Sequence, residues 1–318
     1  MFRNLSIALT AQEILDKSFR KANKVQIIDR NALYKKKKTI ISKTETFSNS
    51  VISTLEKYVK DFPSIDNLPP FYRELIDIRI NIDKLKKALG AIDWARKTCQ
   101  MIYSKQSRSL KKSQKIDFLL KKQQEIYGRI SSVVKQIDKE LISLSEAQNI
   151  IKKFPEISDI PTVVIAGYPN VGKSSLLKCL SSAKPKIAQY PFTTKEIHVG
   201  HIEKKQRHIT EKFQIIDTPG LLDNPFSKKN AIEKQAVAAL THLADIIVFL
   251  IDPTETCGYT LNDQMHLLSQ IKKIFVDSIF IIVENKADIN KTDSKHLKVS
   301  CETGEGIGSL LEEILYSF

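Results

Sequence analysis

The sequence predicts two domains of different class, an all-α helical bundle followed by an α/β domain whose mainly parallel sheet carries helices on both faces. Three observations predict this. Residues 1–160 hold 32 Lys and Arg against 18 Asp and Glu, whereas residues 161–318 hold 18 of each. Of the ten glycines, only Gly90 and Gly128 fall in the first half. Apolar positions recur every three or four residues in that half, while short β-branched runs alternate with helical stretches in the second. Pro155 and Pro161 bracket the transition, since proline disfavours helix at the residue before it. The boundaries are therefore 1–158 for the basic helical domain and 159–318 for the α/β domain.

Along the first domain, Thr10 and Glu13 have capping-box spacing and open a helix that carries Ile14 and Phe19. A second helix is expected over 33–60, with Ile40, Phe47, Val51, Leu55 and Tyr58 near helical spacing. Pro63, Pro69 and Pro70 interrupt the pattern. From Phe71 an apolar stripe through Leu75, Ile78, Leu85, Leu89, Ile92 and Trp94 predicts one helix to about Tyr103. A long final helix is expected from Ile116 to Leu144, the set forming an antiparallel bundle. In the second domain, strands are expected at Thr162–Ala166, Glu196–Ile202, Phe213–Asp217, Asp245–Asp252, Ser278–Glu284 and His296–Ser300. Helices are expected at 173–182, 231–243, 262–274 and 306–317. The KKQR segment between the second and third strands reads as a hairpin turn, which adds one antiparallel strand.

Composition excludes several classes. Apolar residues make up 42% of the chain, enough for sizeable cores, and no apolar run approaches the roughly 18 residues of a membrane span. The N-terminus lacks a secretory pattern, and Cys99, Cys179, Cys257 and Cys301 are scattered without a CxxC pair or metal-ligand spacing. A cytoplasmic chain without a membrane partner is expected.

Residues 167–174, GYPNVGKS, fit GxxxxGK[ST] between a buried strand and a helix, the context this phosphate-binding loop requires. Backbone amides from Asn170, Val171, Gly172, Lys173, Ser174 and Ser175 would converge on phosphates, with Lys173 adding a point charge and Ser174 a Mg²⁺ ligand. DTPG at 217–220 ends a strand, placing Asp217 for the magnesium shell and leaving the Gly220 amide to sense a γ-phosphate. In NKAD at 285–288, Asp288 can accept from the ring N–H and exocyclic amine of guanine, a donor pair adenine lacks; Asn285 and Lys286 complete the base site. Ser300 and Cys301 follow the last strand and are placed to meet the guanine oxygen through backbone. YPFTTK at 190–195 brings Thr193 and Thr194 before a strand. Thr194 is expected to close over the triphosphate, its hydroxyl on Mg²⁺. Together the motifs read as a GTP/GDP site with Lys173, Thr194 and Gly220 in catalytic roles. Leu221 and Leu222 follow the DTPG glycine where some GTPases place a water-orienting glutamine. Unstimulated hydrolysis is accordingly expected to be slow, with Asn170 a candidate K⁺ ligand supplying the missing help.

These motifs resemble the Obg-like branch of translation-factor GTPases, in which GYPNVGKS, YPFTT and DTPGLLD recur together. PFYRELIDI, ALGAIDWAR, YPFTTKEIHVGHI and ADIIVFLIDPTETCGYTLNDQ narrow the resemblance to the nucleolar GTP-binding protein (Nog) family, across both domains. The resemblance implies a Ras-like P-loop G domain after the helical domain, and it strengthens the K⁺ reading of Asn170. It also implies work on ribosomal RNA in large-subunit precursor particles, the chain being monomeric off the ribosome. The chain is like the short archaeal-type members. The Lys35–Lys38 run and Lys111, Lys112, Lys115, Lys121 and Lys122 supply positive potential suited to phosphates, or a solvated lysine-rich face. Two other readings stand beside this one: a GTPase acting on mature ribosomes, and an RNA-binding scaffold with GTP as a structural ligand.

Overall fold

The computed structural model describes residue 2 and residues 5–158, 160–189, 196–206 and 209–318. Contacts divide the chain into two units, Met1–Asn67 with Ile80–Lys152, and Leu68–Arg79 with Lys153–Phe318. The helices before the sheet are α1 (Ala11–Asn23), α2 (Ala32–Lys60), α3 (Pro70–Ile80), α4 (Ile82–Lys112), α5 (Ile116–Gln136) and α6 (Asp138–Ile151).

In the first unit α2 packs on α1, α4 and α5, and α4 packs on α5 and α6. The Thr10 capping box starts α1, Glu13 N donating to Thr10 Oγ1 at 3.3 Å and Thr10 N donating to the Glu13 carboxylate at 2.9 Å. The core is the predicted apolar stripe: Ile14, Phe47, Val51, Leu55, Leu85, Ile92, Ile126, Ile130, Leu141 and Leu144 are buried. Each such side chain contributes about 1.5–3 kcal/mol. The rings of Phe19, Phe47 and Tyr127 cluster with centroids 4.4–5.2 Å apart. At one end, Lys37 Nζ donates to Gln114 Oε1 at 3.1 Å and Gln123 Nε2 to the Ile40 carbonyl at 3.3 Å. Two lysine-rich stretches far apart in sequence thus meet at the start of α2 and the α4–α5 turn.

Three expectations are corrected here. The helix expected from Phe71 to Tyr103 is two helices, because Asn81 adopts φ 68° and its side chain caps α4 by accepting from Lys84 N. The isoleucines at 78, 80 and 82 carry the stripe across that break and hide it from periodicity. The long final helix likewise divides at Ile137, where φ −99° and ψ 16° leave the helical region. Trp94, expected on the buried stripe, is 49% exposed. It lies two residues, about 200° around the helix, from buried Ile92.

The second unit contains α3, β1 (Thr162–Ala166), α7 (Lys173–Leu180), β2 (Lys186–Gln189), β3 (Glu196–Gln206), β4 (Ile209–Asp217), α8 (Ala231–Thr241), β5 (Ile246–Ile251), α9 (Leu261–Ile274), β6 (Ile279–Glu284), β7 (Leu297–Lys298) and α10 (Ile307–Tyr316). Among the described residues the sheet order is β2-β3-β4-β1-β5-β6-β7. β1 runs parallel to β4 and β5, and β6 parallel to β5 and β7, while β3 is antiparallel to β4 and β2. β1 and β5 are buried at every position, as strands covered on both faces must be. β3 and β4 are longer than expected and absorb Lys204–Gln206 of the KKQR segment; Arg207 and His208 lie outside the described residues. β2 was not expected. α3 belongs with this unit through Tyr72, whose hydroxyl accepts from Ile157 N at 2.8 Å and donates to the Pro155 carbonyl at 2.8 Å.

Candidate nucleotide site

The site forms where β1, β4 and β6 end, the edge at which open α/β sheets bind ligands. After β1, the loop 167–172 turns sharply, with Asn170 at φ 63° and Gly172 at φ 104°. Gly172 is required twice over. Its φ is one that L side chains rarely adopt, and a Cβ there would overlap Asn285 Nδ2. Lys173 opens α7, and its Nζ donates to the Tyr168 carbonyl at 2.7 Å. Burial lowers its pKa, opposed by the charges of Asp223 and then Asp217. Among the described residues no carboxylate forms an ion pair with this largely buried ammonium, and phosphate would supply one.

Ser174 Oγ donates to Asp217 Oδ2 at 2.6 Å. Asp217 is fully buried, and its Oδ1 has no hydrogen-bond partner among the described residues. A buried carboxylate oxygen without a donor, beside a serine hydroxyl, fits a hard divalent cation such as Mg²⁺. His198, opposite Asp217 on β3, brings Nδ1 to 3.6 Å from Oδ2.

A cleft of about 380 Å³ lies beside the loop, lined by Asn170, Gly172 and Ser175 on one side and Asn285, Asp288 and Cys301 on the other. Asp288 is exposed to it. Asn285 is buried and ties three motifs together: its Nδ2 donates to the Val171 carbonyl at 2.8 Å, and its Oδ1 accepts from Cys301 N at 3.1 Å. Lys286, at φ 63°, donates through Nζ to Asp252 Oδ2 and Thr256 Oγ1, both at 2.6 Å. Asp252 is fully buried. Burial pushes its pKa up, but hydrogen bonds from Lys286, from Thr254 and from the Cys257 and Thr254 amides outweigh this and hold it below the ordinary value.

Several expected groups are engaged within the protein instead. The Gly220 amide is not free: it donates to Asp223 Oδ2 at 2.7 Å. The Cys301 amide, expected to face the guanine oxygen, is held by Asn285, and the Ser300 amide donates to the Glu305 carbonyl at 2.9 Å. The 300–306 loop is tied back on itself at Ser300 and to Asn285 at Cys301, which leaves Asp288 and Glu302 as the carboxylates that line the cleft. Thr193 and Thr194 lie outside the described residues. Leu221 and Leu222 are buried, so neither presents a side chain to the site. Sequence reading missed Tyr168, Asp223, Asp252 and Thr256. All four lie inside quoted motifs, GYPNVGKS, DTPGLLD and ADIIVFLIDPTETCGYTLNDQ, but the spacing gave none of them a role.

The fold and this site define a P-loop G domain preceded by a helical domain. Residues 2–159 match the NOG1 N-terminal helical domain, and residues 231–288 match Nucleolar GTP-binding protein 1 (NOG1). An uncharacterized protein of Methanocaldococcus jannaschii is 38% identical over 292 residues, covering 91% of this chain and 81% of that one. Nucleolar GTP-binding protein 1 of Saccharomyces cerevisiae is 34% identical, covering 75% of this chain and 36% of that one. Its Encephalitozoon cuniculi counterpart is 31% identical, covering 84% and 53%. The chain belongs to the NOG1 family of GTP-binding proteins. It spans about a third to a half of the length of these two nucleolar relatives. No helix among the described residues is long and apolar enough to cross a membrane.

Proposed function

We propose that this chain is a GTP-hydrolysing switch that binds ribosomal RNA and acts on large-subunit precursor particles. For the nucleotide half, the observation that carries the reading is the Ser174–Asp217 pair, whose buried Oδ1 has no hydrogen-bond partner among the described residues, next to a loop built around Gly172. Lys173 and the loop amides would stabilise charge on the phosphates, and Ser174, Asp217 and Thr194 would hold Mg²⁺. Asp288 would read guanine. Asn285 and Lys286 act on that site by holding its loops together. Asn170 lines the cleft from a left-handed turn, a position that supports its reading as a K⁺ ligand.

For the RNA half, support comes from the meeting of the Lys35–Lys38 run with the Lys111–Lys122 segment through Lys37 and Gln114. Tyr34 is half exposed there, with Lys37 and Lys38 over its ring at 5.9 and 5.6 Å. Clustered cations track phosphates without reading sequence, and an exposed ring among them offers a base a stacking surface.

GTP turnover should be slow alone, faster in K⁺ than in Na⁺, and stimulated by large-subunit precursor particles. In cells, RNA crosslinked to the chain should map to large-subunit ribosomal RNA and its precursors. Crosslinks scattered over messenger RNA, with no large-subunit peak, would sink the assembly role. Particle binding that ignores the nucleotide, without stimulated turnover, would favour the scaffold.

A further inference from the structure

Asp223 is a buried carboxylate that the mechanism above does not use. It is 7% exposed, lies three residues beyond Gly220, and reaches back so that its Oδ2 accepts the Gly220 amide proton at 2.7 Å. Its Oδ1 accepts from Asn224 Nδ2 at 3.1 Å. The local turn is fixed independently, since Leu221 N donates to the Thr218 carbonyl and Gly167 N to the Leu222 carbonyl. An aspartate capping a turn amide is ordinary where the turn is exposed. This one is buried beside the P-loop lysine, and among the carboxylates acting on Lys173 its charge acts most strongly, ahead of Asp217.

Asp223 holds one of the two groups this fold aims at a terminal phosphate, the backbone amide that follows the DTPG strand, and its charge acts on the other, the loop lysine. A carboxylate oxygen on that amide, whose charge also acts on that ammonium, reproduces in part the charge and acceptor role of a γ-phosphate oxygen. Both cannot occupy the amide, which has one proton to donate. Two anions brought together in a buried site also repel strongly.

We infer that Asp223 is a resident stand-in for the γ-phosphate, a residue that sets how far the site prefers a triphosphate over a diphosphate. A diphosphate leaves the Gly220 amide to Asp223 and binds without disturbing it. A triphosphate must displace the carboxylate before the amide can take up the γ-phosphate, so part of its binding free energy is used to open the Asp223–Gly220 contact. That displacement shifts Asp223 and Asn224, just beyond the independently held Leu221 and Leu222, which makes the same contact the point where phosphate occupancy is passed to the chain that follows. The inference rests on the guanine-nucleotide reading of the site.

The test is the ratio of dissociation constants for GDP and GMPPNP, with Mg²⁺, in the full chain and in D223N and D223A. Because GMPPNP does not turn over, the ratio reports binding and not catalysis. D223N keeps an acceptor for the amide and removes the charge, whereas D223A removes both. GMPPNP should gain on GDP by about ten- to a hundredfold in D223A, the range spanned by charged hydrogen bonds. D223N should show a smaller gain. Thermal midpoints of the nucleotide-free variants check that they fold. An unchanged ratio in both variants, or equal weakening of the two nucleotides as a merely structural role would give, overturns the inference. A wild-type chain that binds neither nucleotide would refute the reading of the site itself, a separate outcome.

Discussion

At the scale of single residues, the site depends on close approaches that leave no room for a side chain. Gly172 holds φ 104°, and a Cβ there would overlap the Asn285 amide that supports the Val171 carbonyl. Gly172→Ala therefore combines backbone strain of about 1–3 kcal/mol with expulsion of Asn285 from its place between two loops. Calorimetric titration with GDP should show binding abolished or weakened at least tenfold, with a lowered thermal midpoint. Adding Asn285→Ala should not rescue binding, since it relieves the overlap but leaves the strain and removes the tie to Cys301. Wild-type affinity in the single variant would contradict this account. The sequence displayed Gly172 plainly, because its role is local and its spacing to Lys173 is fixed. Asn285 was legible only as a base-reading residue. Its bonds to Val171 and Cys301 span 114 and 16 positions, and nothing local in the sequence marks such partners.

At the scale of elements, the loops after β5 and β6 are joined by the Lys286–Asp252 pair at 2.6 Å. Asp252 is depressed below its ordinary pKa, so its stabilising contribution is complete above the unfolded value near 3.9 and is lost as pH falls through the lower folded value. Asp252→Asn should cost about 2 kcal/mol at neutral pH. That is less than is typical of a wholly buried pair, because the Lys286 side chain stays 21% exposed. The difference in thermal midpoint between wild type and variant should shrink below about pH 4, and a difference constant from pH 7 to pH 3 would refute the depressed carboxylate. Strands of this kind were legible because β1 (TVVIA) and β5 (IIVFLI) are short runs rich in β-branched residues with no polar interruption after Thr162. β2 was not, since KIAQ is a four-residue edge strand with Ile187 64% exposed, and short polar edges carry no periodic signal. The α3–α4 break was hidden for the opposite reason. Its signal is one residue, Asn81, inside an apolar stripe that continues through it.

At the scale of the whole molecule, the excess positive charge is confined to the first half, and part of it sits where helix stability opposes it. α2 starts at Ala32 and has no acidic residue in its first turn, which Lys35 closes, while Lys36, Lys37 and Lys38 lie in the next turn. A cation in the first turn, here Lys35, opposes the helix dipole at a cost of about 0.3–1 kcal/mol. A surface chosen for stability alone would place acids there, so the lysines are better explained by an anionic partner. Replacing Lys35, Lys36, Lys37 and Lys38 with Gln removes the Lys38–Asp29 pair at 2.7 Å and should change stability by no more than about 1 kcal/mol, while binding to the proposed large-subunit ribosomal RNA weakens. The plot of log affinity against log salt should also flatten, by about 0.7–0.9 for each phosphate that is no longer neutralised. Guanine-nucleotide affinity should be unchanged, because every residue of the nucleotide site belongs to the other unit. Filter binding across a salt series, beside thermal melts of the same full-length variants, measures both quantities. An unchanged slope would show that these four lysines face solvent rather than RNA; a large loss of stability would show that they serve the bundle instead.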